Sequence, residues 1–121
     1  MRYYRQLRGL TTRQLAEKLN IVSATVLGYE QGRFPMPYEI AITVSEILQI
    51  SESLLFDDFC VFLAAPYTDL LHTVRKRHGL NQVAFAENAG IAPSIYAKWE
   101  SGSRRPSRKM YQQLKAIYPE I

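Results

Sequence analysis

The feature that most constrains this chain is its likeness to itself. The segment Arg5 to Gly32 realigns on Arg75 to Gly102 at a constant offset of 70, without a gap. Eight positions are identical: Arg5/Arg75, Gly9/Gly79, Leu10/Leu80, Ala16/Ala86, Glu17/Glu87, Ile21/Ile91, Glu30/Glu100 and Gly32/Gly102. Chance gives roughly two identities in such a window, so the match reads as an internal repeat. Val26/Tyr96 and Tyr29/Trp99 add chemical matches at the same spacing. A chain of 121 residues that contains two copies is expected to fold as two very small domains of about 55 residues each.

Each copy is punctuated as a series of short helices. In the first, Tyr3, Tyr4 and Leu7 are spaced as on a helix that Gly9 ends, since a glycine readily turns left-handed. Thr11 and Gln14 have the form of a capping box for the next helix, lined by Leu15, Ala16 and Leu19 and ended by Asn20. Ile21 plugs the turn. A third helix is expected from about Ser23 to Gln31, with Val26, Tyr29 and Glu30 on its inner side and Ser23, Ala24, Thr25 and Gly28 toward the other. Phe34-Pro35-Met36-Pro37 makes an extended connector. Tyr38 to Leu48 then has a broad apolar face, and Ser51 caps a last short helix, Glu52 to Phe56.

The second copy repeats the plan. Leu70, Leu71 and Val74 mark its first helix, with Pro66 suited to the first turn. Asn81 caps the second, in which Val83, Phe85, Ala86 and Ala89 supply apolar contacts. Gly90 makes the turn and Ile91 plugs it. Pro93 opens the third helix, with Tyr96 and Trp99 inward and Pro93, Ser94, Ala97 and Lys98 more exposed. Met110 to Ile117 form the last. The expected division is a first domain over residues 1–57, a linker over 58–66 and a second domain over 67–121. Phe59 to Leu63, five apolar residues, fit either a helical turn or an extended linker, and either inter-domain core or a dimer contact.

Charge separates the copies. Residues 1–58 hold six Lys/Arg against seven Asp/Glu, net −1; residues 59–121 hold nine against four, net +5. The second half is therefore the one suited to a polyanion. No stretch is long and apolar enough to span a membrane, and no signal segment stands at the N-terminus. Cys60 is the single cysteine, so no intrachain disulfide forms and a reduced, cytoplasmic setting is expected. His72, His78 and Cys60 do not have metal-ligand spacing. No nucleophile-base grouping and no phosphate-cradling glycine loop is present. Neither an enzyme nor a cofactor is expected.

Gly79-Leu80-Asn81-Gln82, Ala86, Gly90-Ile91, Trp99-Glu100-Ser101-Gly102 and Arg105-Pro106-Ser107 together resemble the Cro and lambda-repressor-like (xenobiotic-response-element type) helix-turn-helix transcriptional regulators. The first copy resembles them with fewer matches. The resemblance implies an all-α fold of two tandem bundles of four to five short helices, with the third helix of a bundle in the major groove of double-stranded DNA. It implies base readout by Pro93, Ser94 and Lys98 in the second copy and by Ser23, Ala24, Thr25 and Gly28 in the first. Phosphate contacts fall on Gln82, Arg104, Arg105, Arg108 and Lys109, and on Thr12 and Arg33 in the first copy. Arg5 with Glu30, and Arg75 with Glu100, fall on a structural ion pair. The implied function is a transcriptional regulator, with repressor among the roles, acting mainly through the second copy. The alternative is an antirepressor or antitoxin-like module whose first copy binds a protein. A homodimer through that copy or residues 59–63 is open on the same grounds.

Overall fold

Three backbone positions in each copy turn the chain through the left-handed region, again 70 residues apart. They are Gly9 and Gly79 (φ +68° and +66°), Asn20 and Gly90 (+56° and +70°), and Gly32 and Gly102 (+71° and +80°). Each follows a helix and stops it. In the computed structural model, which describes all 121 residues, the result is entirely helical. Contacts divide the chain into two units, Met1–Asp57 and Asp58–Ile121. With the boundary there, the first unit has six Lys/Arg and six Asp/Glu, and the second has nine against five. The whole net charge of +4 therefore lies in the second.

The first unit comprises α1 (Arg2–Leu7), α2 (Thr12–Leu19), α3 (Ser23–Glu30) and α4 (Tyr38–Leu48), then a 3₁₀ turn, Glu52–Leu54. The capping box forms as its residues dictate. Thr11 Oγ1 accepts from the Gln14 amide at 3.1 Å, and Gln14 Oε1 accepts from the Thr11 amide at 2.8 Å. Leu15, Ala16 and Val26 are the buried centre, with Leu19, Ile21 and Ile47 against them. Ala41, Val44 and Leu48 bury the inner face of α4. The expected last helix, Glu52 to Phe56, is only the 3₁₀ turn. Ser51 does cap it, but three residues close too few bonds to propagate an α-helix.

The second unit comprises α5 (Asp58–Ala64), α6 (Tyr67–Arg77), α7 (Gln82–Asn88), α8 (Pro93–Ser101) and α9 (Arg108–Ile117). The segment expected as a linker over 58–66 is thus mostly α5, which buries Cys60 and Phe62 in this unit. Rings decide the matter: Phe62 lies 4.9 Å from Tyr111 and 5.2 Å from Tyr67, centroid to centroid. Pro66 takes the cap position, one residue before the first turn. Val83 is exposed and supplies no core contact.

The second core is larger and more aromatic. Where the first unit has Leu15, Val26 and Tyr29, the second has Phe85, Tyr96 and Trp99, all buried. Phe85 stacks on Tyr118 at 3.9 Å and 11°, and the Tyr118 hydroxyl donates to the Phe85 carbonyl at 2.9 Å. Full burial of each large apolar side chain contributes about 1.5–3 kcal/mol, so the larger rings add to the hydrophobic term in this unit.

Candidate nucleic-acid interface

In the second unit α7 and α8 are joined by a four-residue turn, Ala89 to Ala92, around Gly90, and Ile91 is buried beneath it. Ala86 has no exposed surface, and its carbonyl accepts from the Ile91 amide at 2.9 Å. A larger residue at 86 would force the helices apart. The turn is also held from outside. Gln113 of α9 donates through Nε2 to the carbonyls of Ala89 at 2.7 Å and Gly90 at 3.0 Å. Nothing in the sequence singles out Gln113, and the residue 70 positions earlier is Thr43, whose hydroxyl bonds within its own helix to Glu39.

The third helix is fixed at its other end by an ion pair. Arg75 Nη2 donates to Glu100 Oε1 at 2.7 Å, and Nε donates to Oε2 at 3.0 Å. Arg75 Nη1 donates to the Leu80 carbonyl at 3.1 Å. His72 Nδ1 lies 3.0 Å from Glu100 Oε1. Burial opposes the Glu100 charge, but bonds to Arg75, then to His72 and Tyr96, outweigh it and bring the carboxyl down to about 2. Burial chiefly, and then Glu100, raises the Tyr96 phenol above its usual value. The first unit repeats the clamp. Arg5 Nε donates to Glu30 Oε2 at 2.8 Å, and Nη1 to the Leu10 carbonyl at 2.8 Å. All four residues thus brace α1 to α3 and α6 to α8 inside the protein.

With Tyr96, Trp99 and Glu100 turned inward, α8 presents Ser94, Ala97, Lys98 and Ser101 on the opposite arc. Ser94 and Lys98 are exposed, while Pro93 is half-buried at the start of the helix. The loop after α8 is tied back to it. The Arg104 amide donates to the Lys98 carbonyl at 3.2 Å, as does the Ser101 hydroxyl at 3.0 Å. Arg104, Arg105 and Lys109 are exposed, and Gln82 is half-buried at the first position of α7. Arg108 is different. Its guanidinium lies 4.8 Å over the Phe59 ring and 4.0 Å from Cys60 Sγ, and burial lowers its pKa. It is half-buried and engaged with α5, unlike the exposed Arg104, Arg105 and Lys109.

The corresponding arc of the first unit is apolar. Ala24 and Leu27 are exposed on α3, and Val22 precedes them at the cap. Ser23 and Thr25 are half-buried. Gly28, expected among the base readers, is buried: the Phe34 ring lies on it, and a Cβ at residue 28 would strike that ring. Phe34 also meets Tyr29 edge-on at 5.4 Å. The positions of Lys98 and Arg104 are here held by Gly28 and Phe34, so two cations are replaced by a ring seated on a glycine. Thr12 is half-buried and Arg33 exposed, so of the first unit's two expected phosphate residues Arg33 alone stands fully outside.

Residues 71–118 match the helix-turn-helix family model. The match runs from within α6 to just beyond α9, and so takes in the turn at Gly90, α8 and the basic loop. No curated protein and no solved structure matches the chain. Within the matched segment, α6 is tied to α8 by the Arg75–Glu100 pair and α9 to the α7–α8 turn by Gln113. No helix of the protein is long and apolar enough to cross a membrane.

Proposed function

We propose that the protein is a sequence-specific DNA-binding transcriptional regulator whose second unit places α8 in the major groove. The observation that carries this is the outer arc of α8, Ser94-Ala97-Lys98-Ser101, flanked by Arg104, Arg105 and Lys109, within the segment that matches the helix-turn-helix family. A major groove about 12 Å wide accepts one helix. Lys98 then donates to a guanine edge, Ser94 bonds a base or a sugar-phosphate oxygen, and the Ala97 methyl meets a thymine methyl. Arg104, Arg105, Lys109 and Gln82 grip phosphates on either side, which sets the register without reading sequence.

Selection of bound duplexes from a random pool with the full chain tests the proposal. A recovered motif supports it, and a failure to enrich any sequence at low salt sinks it. Replacing Lys98 by Ala relaxes preference at one base pair and costs about 1–3 kcal/mol on the preferred site. Replacing Arg105 by Ala weakens all duplexes alike and reduces the salt slope by about 1. Identical behaviour of the two variants refutes the division of roles.

A second reading concerns the first unit, which we propose is a diverged helix-turn-helix that binds protein rather than base edges. Its support is the Phe34 ring on Gly28 and the absence of Lys or Arg from the outer arc of α3. Salt-dependent binding of bulk DNA distinguishes the roles. Substituting Arg33 by Ala leaves affinity unchanged on this reading, whereas a loss equal to that of Arg105→Ala returns the first unit to the DNA.

A further inference from the structure

We infer that the cleft between α5, α6 and α9 of the second unit is a binding site for a small monocyclic aromatic carboxylate. The cleft encloses a cavity of about 160 Å³. Its walls are apolar: Phe62 of α5, Ala65 just beyond that helix, Leu70 of α6, the Tyr111 ring of α9 and Ile121. Asp58 and Lys115 are the charged residues of the lining. Their side chains are 82% and 37% exposed, so the cavity opens to water at this end. None of these residues belongs to the DNA surface proposed above, and the inference goes beyond that reading without resting on it.

Volume sets the size of the guest. Sites for drug-sized ligands run to about 300–1,000 Å³, whereas an apolar cavity of about 150 Å³ takes a single benzene ring. The wall favours a ring over an alkyl chain. Phe62 and Tyr111 stand 4.9 Å apart, centroid to centroid, and are tilted by 43°. They offer both faces and edges to a third ring.

Charge sets the functional group. Lys115 Nζ donates to the Tyr111 hydroxyl at 3.3 Å and to Asp58 Oδ2 at 3.3 Å. A phenol that accepts from an ammonium keeps its own proton to donate, and the ammonium has three. A carboxylate entering at the open end therefore meets two donors on an otherwise apolar wall. Lys115 is the single cation of the lining, so it matches one negative charge rather than the two of a phosphate. Asp58 is the internal competitor for Lys115. Its pair is exposed, and such pairs contribute little, so it yields to a carboxylate whose ring is also buried. A guest of about nine non-hydrogen atoms held this way has a dissociation constant on the order of 1 mM.

Amide-resolved NMR titration of the full chain with sodium benzoate, without DNA, tests the site. Shifts at Phe62, Leu70, Tyr111 and Lys115 are expected to saturate by about 20 mM. Acetate keeps the charge without the ring, and benzamide keeps the ring without the charge; each is expected to bind at least about fivefold more weakly. Lys115→Met retains the apolar stem and removes the ammonium. It is expected to weaken benzoate about tenfold and to leave benzamide unchanged. Asp58→Asn removes the competing carboxylate at an exposed position and is expected to tighten benzoate about twofold to fivefold. Absence of saturable shifts overturns the inference, as does acetate binding as well as benzoate. So do benzoate shifts that cluster at Arg104 and Arg105 instead of the cavity, which would mark a diffuse attraction of anions to the basic surface. An unchanged benzoate affinity in Lys115→Met has the same force. Should that variant not fold, Asp58→Asn decides, because an affinity that fails to rise refutes the competition. All of these readings are made without nucleic acid, so their failure is separate from a failure of DNA binding.

Discussion

Removing the Glu100 carboxylate should destabilise the second unit by an amount the structure bounds in two ways. Its folded pKa of about 2, against the ordinary 4.5, corresponds to about 3 kcal/mol, at roughly 1.4 kcal/mol for each tenfold change in proton affinity. Breaking a buried pair from one side costs about 3–5 kcal/mol, because the other charge is left unmatched. Arg75 is the charge so left, 8% exposed and beside the buried Tyr96. Glu100→Gln should therefore cost about 3 kcal/mol at neutral pH. The sign of the pH dependence follows from the depressed pKa. The stabilisation is complete above 4.5 and is lost as pH falls toward 2, because the unfolded carboxyl takes up its proton first. Trp99 makes the assay selective: it is the single tryptophan and is buried in this unit. Urea unfolding followed by its fluorescence thus reports the second unit in the intact chain. The wild type should lose stability between pH 4.5 and 2, and the variant should lack that component. A variant within about 0.5 kcal/mol of wild type at pH 7, or one with an undiminished acid limb, would show that the bridge contributes nothing net.

Three further outcomes follow from the same geometry. Gln113→Ala removes two bonds to the α7–α8 turn and should cost about 1–2 kcal/mol by Trp99 fluorescence, with faster amide exchange at Ile91. Gly28→Ala should gain about 1 kcal/mol in a Phe34→Ala background, where only helix propensity acts, but lose stability in the wild type, where the new methyl meets the ring. Circular dichroism on the four proteins of that cycle measures the coupling, and equal effects in both backgrounds would dissolve the contact. Phe62→Ala should destabilise the Trp99-monitored transition by about 3–5 kcal/mol, as expected of a core residue; an effect below 1 kcal/mol would return α5 to the status of a connector.

What the sequence made legible is what repeats. Glycine at 9, 32, 79 and 102, with Asn20 and Gly90, marks helix ends because few other residues enter the left-handed region cheaply. The Arg–Glu spacing of 25 held in both units because both ends sit on elements that the punctuation had already placed. What was not legible depends on contacts between distant residues. Five apolar residues at Phe59 to Leu63 are too short for period to distinguish helix from strand, and their partners Tyr67 and Tyr111 lie in other helices. Arg108 reads in the sequence as one more cation in a basic run, and only the fold places Phe59 beneath it. Gly28 looked like an open position on an outer arc, and only the path of the chain after Gly32 brings Phe34 over it.

The seat of Phe34 on Gly28 also governs which mutations the first unit can accept in succession. A basic side chain introduced at residue 28 alone has nowhere to go while the ring is in place. An arginine at residue 34 alone uncovers a glycine in mid-helix and exposes backbone to water. Either step is disfavoured until the other has been taken, so the two positions behave as an epistatic ratchet. Single-site drift would therefore tend to keep the two halves of this chain chemically unlike each other, whatever each half binds.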